Sequence, residues 1–115
     1  MRDDRARLLD ILEAIENVAR RIGSDRELFF RDELLQVWAI HHIQIIGEAA
    51  HQISRALQES YPSLPWADIV DMRNVLVHRY FGIDLNEVWD TVTEDLPRLK
   101  NDIEAILRQT KESDS

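Results

Sequence analysis

The chain has 115 residues, no cysteine and a formal net charge of −8, with 14 lysines and arginines against 22 aspartates and glutamates. That length supports one domain around one core, large enough to fold without disulfides or a structural metal. The missing cysteines exclude disulfides, thiolate zinc sites and a cysteine nucleophile, and the acidity argues against a simple nucleic-acid binder with a basic face.

Leu8, Leu9, Ile11, Leu12, Ile15, Val18, Ala19 and Ile22 follow a helical period and predict a first helix that ends near Gly23. Ser24 or Asp25 is placed to cap the next helix. That second, longer helix is expected from Glu27 or Asp32 to Ser60, ended by the Tyr61-Pro62-Ser63-Leu64-Pro65 segment. Gly47 lies inside it, at a cost of about 1 kcal/mol relative to alanine. That cost predicts close approach of a neighbouring helix. The most apolar stretch, Leu34 to Ile46, is interrupted by Gln36, His41, His42 and Gln44 and is too short and polar to span a bilayer. With no secretory pattern at the start, a cytoplasmic protein is expected.

Pro65 suits the first turn of a third helix, where a missing N–H costs little, and that helix should end near Gly82. Asp84 can cap a fourth, with Glu87 in the capping-box position. The fourth helix is expected to run to about Arg108 with a bend at Pro97. Residues 1–110 then form a single all-α domain, an antiparallel four-helix bundle with room for an extra short or broken helix. Residues 111–115 read as a frayed tail.

The third helix carries the densest chemistry. Residues 73–80 read Arg-Asn-Val-Leu-Val-His-Arg-Tyr. Arg73 and Tyr80, seven apart, share one edge of a helix, and Asn74 and His78, four apart, stack on the next strip. A fixed cation beside a group that titrates near neutral pH is what metal-free phosphodiester chemistry needs. Trp66 and Val70, with Val77, lie on the same edge as Arg73. This partly apolar edge predicts a twofold contact and a homodimer.

Each of these residues also has a plainer reading. His78 could be an ordinary surface or core histidine, and Arg73 could pair with Glu48 or Asp71. Asn74 either sets the tautomer of His78 or makes an inter-helix hydrogen bond. Tyr80 could simply pack the helix end. His41, His42 and His51 match no compact ligand set, so no metal is expected. Adjacent histidines on a helix point about 100° apart, and one of His41 and His42 should be packed and the other exposed. Trp38, Trp66 and Trp89 read as core or interface anchors. No phosphate-cradling loop is visible, and no cofactor is expected. The acidity is concentrated late in the chain. Residues 84–115 hold nine acids against four bases, so any RNA contact must be local or assembled from more than one chain.

The Arg-x4-His-x-Tyr spacing of Arg73, His78 and Tyr80 resembles the signature of HEPN domains, specifically the HepT-like toxins paired with minimal nucleotidyltransferase (MNT) antitoxins. Ile43-Gln44-Ile45-Ile46-Gly47-Glu48-Ala49-Ala50 is similar to that family's second-helix signature. Pro65-Trp66, Met72-Arg73-Asn74, Tyr80-Phe81-Gly82, Val88-Trp89 and Glu94-Asp95-Leu96-Pro97 match in order. The resemblance covers most of residues 8–107.

It implies a homodimeric, metal-independent endoribonuclease toxin of a type VII-like toxin–antitoxin pair. The RNA 2′-OH would attack the adjacent phosphorus and leave a 2′,3′-cyclic phosphate and a 5′-OH. His78 would serve as general base or acid, its unperturbed pKa of about 6.5 suiting both, and Arg73 would neutralise charge on the phosphoryl oxygens. Asn74 and Glu48 would support them. Tyr80 stands at the position that the antitoxin modifies with AMP. The alternative is a non-catalytic helical dimer that binds a nucleotidyltransferase.

Overall fold

Leu8, Ile11, Ile15 and Val18 recur at intervals of three and four, which keeps them on one face of a helix. In the computed structural model that face of α1 (Arg2–Arg21) lies in the core, with none of the four more than 3% exposed. The structure describes residues 2–74 and 84–114, and the side chains of 3–74 and 84–110. Asp3 and Asp4 in the first turn of α1 and Arg20 and Arg21 in its last complement the helix dipole.

The segment expected as one long second helix is three. Asp25 caps α2 (Arg26–Arg31) by accepting from the Leu28 N–H. Asp32 then ends α2 and starts α3 (Glu33–His51): its N–H donates to the Leu28 carbonyl, and its side chain accepts from the Leu34 and Leu35 N–H groups. An aspartate that takes these N–H groups stops the ladder from running through. The second break, at 52–54, has a long-range cause. The Asp4 carboxylate, only 6% exposed, accepts from the Ser54 N–H at 2.8 Å and the Ser54 hydroxyl at 2.6 Å. The Ser54 Oγ in turn accepts from the Leu57 N–H and caps α4 (Arg55–Ser60).

Pro65 is the residue just before α5 (Trp66–Asp71), which tightens into a 3₁₀ turn over residues 72–74. The expected end of this helix near Gly82 lies outside the described residues. Asp84 caps α6 (Leu85–Asp90) as expected, although its side chain accepts from the Asn86 N–H and no reciprocal bond from Glu87 accompanies it. A π-helical turn, Thr91–Asp95, joins α6 to α7 (Leu96–Asp114). The expected bend at Pro97 thus takes the form of a widened turn just before it. Pro97 has no N–H to give and its ring crowds the carbonyl four residues back, while the Leu96 N–H reaches to the Thr91 carbonyl instead.

α1 runs antiparallel to α3 and to α7. Trp38 Nε1 donates to the Asn17 carbonyl at 3.0 Å, and Arg7 reaches Gln52. On the other side, Arg5 donates to the Leu107 carbonyl and the Thr110 hydroxyl. Leu8, Ile11, Ile43, Ile46, Leu96, Ile103 and Ile106 fill the centre, each at most 1% exposed, and burying each such side chain stabilises the fold by roughly 1.5–3 kcal/mol. Phe29 of α2 closes one side against Phe30 and Trp89. The architecture is the expected all-α HEPN-type bundle, with the long second helix divided. Among the described residues there is no strand, and no helix is long and apolar enough to cross a membrane.

Candidate functional site

The motif segment is held at its start by an aromatic anchor. Trp66 opens α5 with 8% of its surface exposed, and its indole N–H donates to the Tyr61 carbonyl at 2.9 Å. One turn on, Ile69 is 2% exposed, and Val70 and Met72 pack partly buried against the same core. The Met72 N–H points at both the Ile69 and the Val70 carbonyl as the helix tightens.

That tightening brings backbone to backbone. A Cβ on Gly47 of α3 would overlap the Arg73 nitrogen and come within 2.8 Å of Arg73 Cα and of the Met72 carbonyl carbon. Only a residue without a side chain fits there. The close approach expected at Gly47 is therefore present, and its partner is the first residue of the Arg-x4-His spacing. Arg73 itself is half-buried and Asn74 is exposed.

The remaining motif residues, His78, Tyr80 and Val77, lie outside the described residues, so the structure does not bring Arg73 and His78 together or keep them apart. Among the described residues, neither Glu48 nor Asp71 forms an ion pair with Arg73. Glu48 is exposed and lines a groove between α1 and α3, one residue round the helix from the glycine that seats the arginine.

Trp66 faces the core of its own chain, and Val70 packs against it. Both are accounted for without a partner. Among the described residues, the most exposed large apolar side chains are instead Leu34 at 80% and Val37 at 56%, one turn apart on α3.

Of the paired histidines, His42 is buried and His41 exposed, as the helical angle requires. Trp38 stacks tilted against His42 at 4.3 Å and carries the Arg21 guanidinium over its ring. No three histidine, aspartate or glutamate side chains gather closely enough to hold a metal ion among the described residues. Two features escaped sequence reasoning. One is the Asp4 clasp on Ser54, whose partners are 50 positions apart. The other is the groove beside Glu48, signalled only by carboxylates three apart on the first helix.

Fold and motif together define a HEPN-type helical domain. The family Ribonuclease HepT-like matches residues 11–106, and the chain belongs to it. A probable ribonuclease HepT of Thermococcus cleftensis is 39% identical over 103 residues, covering 86% of this chain and 91% of that protein. A protein of Methanocaldococcus jannaschii, provisionally named an RNase, is 37% identical over 106 residues, covering 91% and 97%. Another of the same provisional name, from Caldanaerobacter subterraneus, is 31% identical over 112 residues, covering 96% and 100%. No solved structure matches the chain.

Proposed function

We propose that the protein is a metal-independent endoribonuclease that works as a homodimer, with Arg73 and His78 as its catalytic pair. The observation that carries this reading is the seating of Arg73. A half-buried arginine opens the Arg-x4-His spacing, its backbone fixed against Gly47, and no carboxylate among the described residues neutralises it. With its backbone fixed there and no carboxylate competing for it, the guanidinium is available to receive two oxygens of one phosphate.

In the reaction, the RNA 2′-OH loses its proton and its oxygen attacks the adjacent phosphorus. The bond from phosphorus to the 5′-oxygen breaks, and that oxygen leaves with a proton, giving a 2′,3′-cyclic phosphate and a 5′-OH. His78 transfers one of these protons, and Arg73 stabilises the charge that builds on the phosphoryl oxygens. Asn74 orients His78. A second copy brings a second arginine and histidine, which offsets locally the net charge of −8. The exposed Leu34 and Val37 supply apolar surface for such a contact.

Control of the activity falls to an MNT-type nucleotidyltransferase in a toxin–antitoxin pair, through transfer of AMP to the Tyr80 hydroxyl. The added phosphodiester competes for Arg73 and repels the RNA backbone.

The test is cleavage of a defined RNA with product-end analysis. His78→Ala is expected to slow cleavage by about 10²–10⁴-fold. Arg73→Lys should also lose much of the rate, because an ammonium cannot reproduce the planar fork. Activity should survive EDTA. Undiminished cleavage by His78→Ala, or abolition by the chelator, rejects this mechanism. Inactivity of the unmodified wild type, with retained nucleotidyltransferase binding, selects the non-catalytic dimer. Tyr80→Phe should stay active and become insensitive to the nucleotidyltransferase with ATP.

A further inference from the structure

The end of the bundle where α1 stops, α2 lies and α3 begins is rich in arginine. Residues 20–31 hold Arg20, Arg21, Arg26 and Arg31 against Asp25 and Glu27, in a chain whose net charge is −8. All four arginines are exposed. Asp25 is committed to capping α2 through the Leu28 N–H. None of the four arginines forms an ion pair among the described residues.

Two of these guanidiniums are held in place by rings. Arg21 Cζ lies 5.0 Å from the centre of the Trp38 ring, and Arg26 Cζ lies 4.3 Å from that of Phe30. Among the described residues no other guanidinium lies over an aromatic ring. Both rings are themselves fixed, Trp38 by its hydrogen bond to the Asn17 carbonyl and Phe30 by its edge-on contact with buried Phe29. Arg26 spends one edge on Asn86, whose side-chain oxygen accepts from Nη2. The two arginines are five residues apart, at most about 18 Å along the chain. Between them the surface is low, since Gly23 has no side chain and a Cβ there would meet no atom within 4 Å. Arg20 falls outside this pair, because it donates to the Asn17 side chain and shares a cleft with Glu13 and Glu16.

Stacking on a ring leaves donors of a guanidinium free and removes part of the freedom it would otherwise lose on binding. Two such forks, neither neutralised by a carboxylate, suit a polyanion whose charges are spaced along a strand. The outer face of a guanidinium also accepts an unpaired base. We propose that the Arg21–Arg26 end of the bundle is an exosite for the backbone of single-stranded RNA. The choice of RNA over another polyanion rests on the nuclease reading. A chain this acidic repels RNA at large, so its affinity has to come from local points of this kind. Trp38 stands nine residues before Gly47 on α3, about 14 Å along the helix axis. The exosite therefore anchors a strand away from the seat of Arg73 and touches no reacting atom.

The experiment is fluorescence anisotropy of a short, fully 2′-O-methylated RNA strand titrated with the full chain across a salt series. This probe cannot be cut by its own 2′-oxygen, so binding is read apart from cleavage. Saturable binding that weakens with salt is expected. Arg21→Gln and Arg26→Gln should each weaken it about threefold to tenfold at low salt, and each should lower the salt slope by about 0.7, the share of one phosphate on a single strand. Arg21→Lys keeps the charge and loses the planar fork, so it should restore the slope and only part of the affinity. Arg55→Gln on α4 and Arg108→Gln on α7, exposed arginines away from any ring, should change neither. Absence of saturable binding, an unchanged slope in both Arg21→Gln and Arg26→Gln, or equal losses in Arg55→Gln and Arg108→Gln would each overturn the proposal. A chain that binds the probe through Arg21 and Arg26 yet cuts no RNA keeps the exosite and rejects the nuclease reading; a chain that cuts RNA without this binding does the reverse.

Discussion

α3 meets two of its neighbours in opposite ways. Towards α1 it presents Ile43 and Ile46, which share a side-chain core with Ile11 and Ile15. Towards the 72–74 turn it presents Gly47, where backbone lies on backbone. A side-chain seam can repack when volume is removed or rearranged, and it loses stability in proportion to the atoms taken away. A backbone seam has no rotamer with which to adjust. Volume added there must move one whole element, and the element in question begins with Arg73.

Deleting volume from the side-chain seam should have the largest effect on stability. Ile43→Ala is expected to cost about 2–5 kcal/mol, seen as a lower midpoint in chemical unfolding. Cleavage per folded molecule should stay near that of the parent, because the 72–74 turn keeps its seat. Adding volume to the backbone seam should be milder for stability and harsher for function. Gly47→Ala should cost about 1–3 kcal/mol by overpacking and lower RNA cleavage well beyond the folded fraction lost. If Gly47→Ala instead left cleavage intact while Ile43→Ala removed it, the contrast between the seams would fail. Smallest of the three, Ser54→Ala removes the α4 cap and a partner of Asp4, at about 1 kcal/mol. Hydrogen exchange should localise that loss to α4 and the first turn of α1. Exchange that quickened uniformly would show that the break at 52–54 is not an independent joint.

What the sequence disclosed divides along the same line. Leu8, Ile11, Ile15 and Val18 announced α1 because their period is local. Asp25 and Asp84 were readable as caps for the same reason. Gly47 was legible as a close approach, since a glycine inside a helix needs a compensating reason, but its partner 26 positions on could not be read from spacing. Asp32 was legible as one of two starts for the long helix but not as a break between two helices, because apolar residues continue on both sides. The break at Ser54 was not legible, because the carboxylate that fixes it belongs to Asp4. Trp66 was legible as a core or interface anchor but not as which of the two, because helical angles give relative direction and not which side faces the core. The Arg73 end of the candidate site was therefore located by pattern, while the reason it is held in place came only from tertiary contact.

The Asp4 clasp bears on how this protein can be handled. With Asp4 tied to Ser54, the opening turn of the chain works as a fastener and not as a loose end. Fragments trimmed to start near Leu8 would keep the apolar face of α1 yet free the joint between α3 and α4, and proteases would find it there. An affinity tag should be joined through a flexible spacer that lets this first turn close, and a reporter fused directly to the helix should be read with the joint in mind.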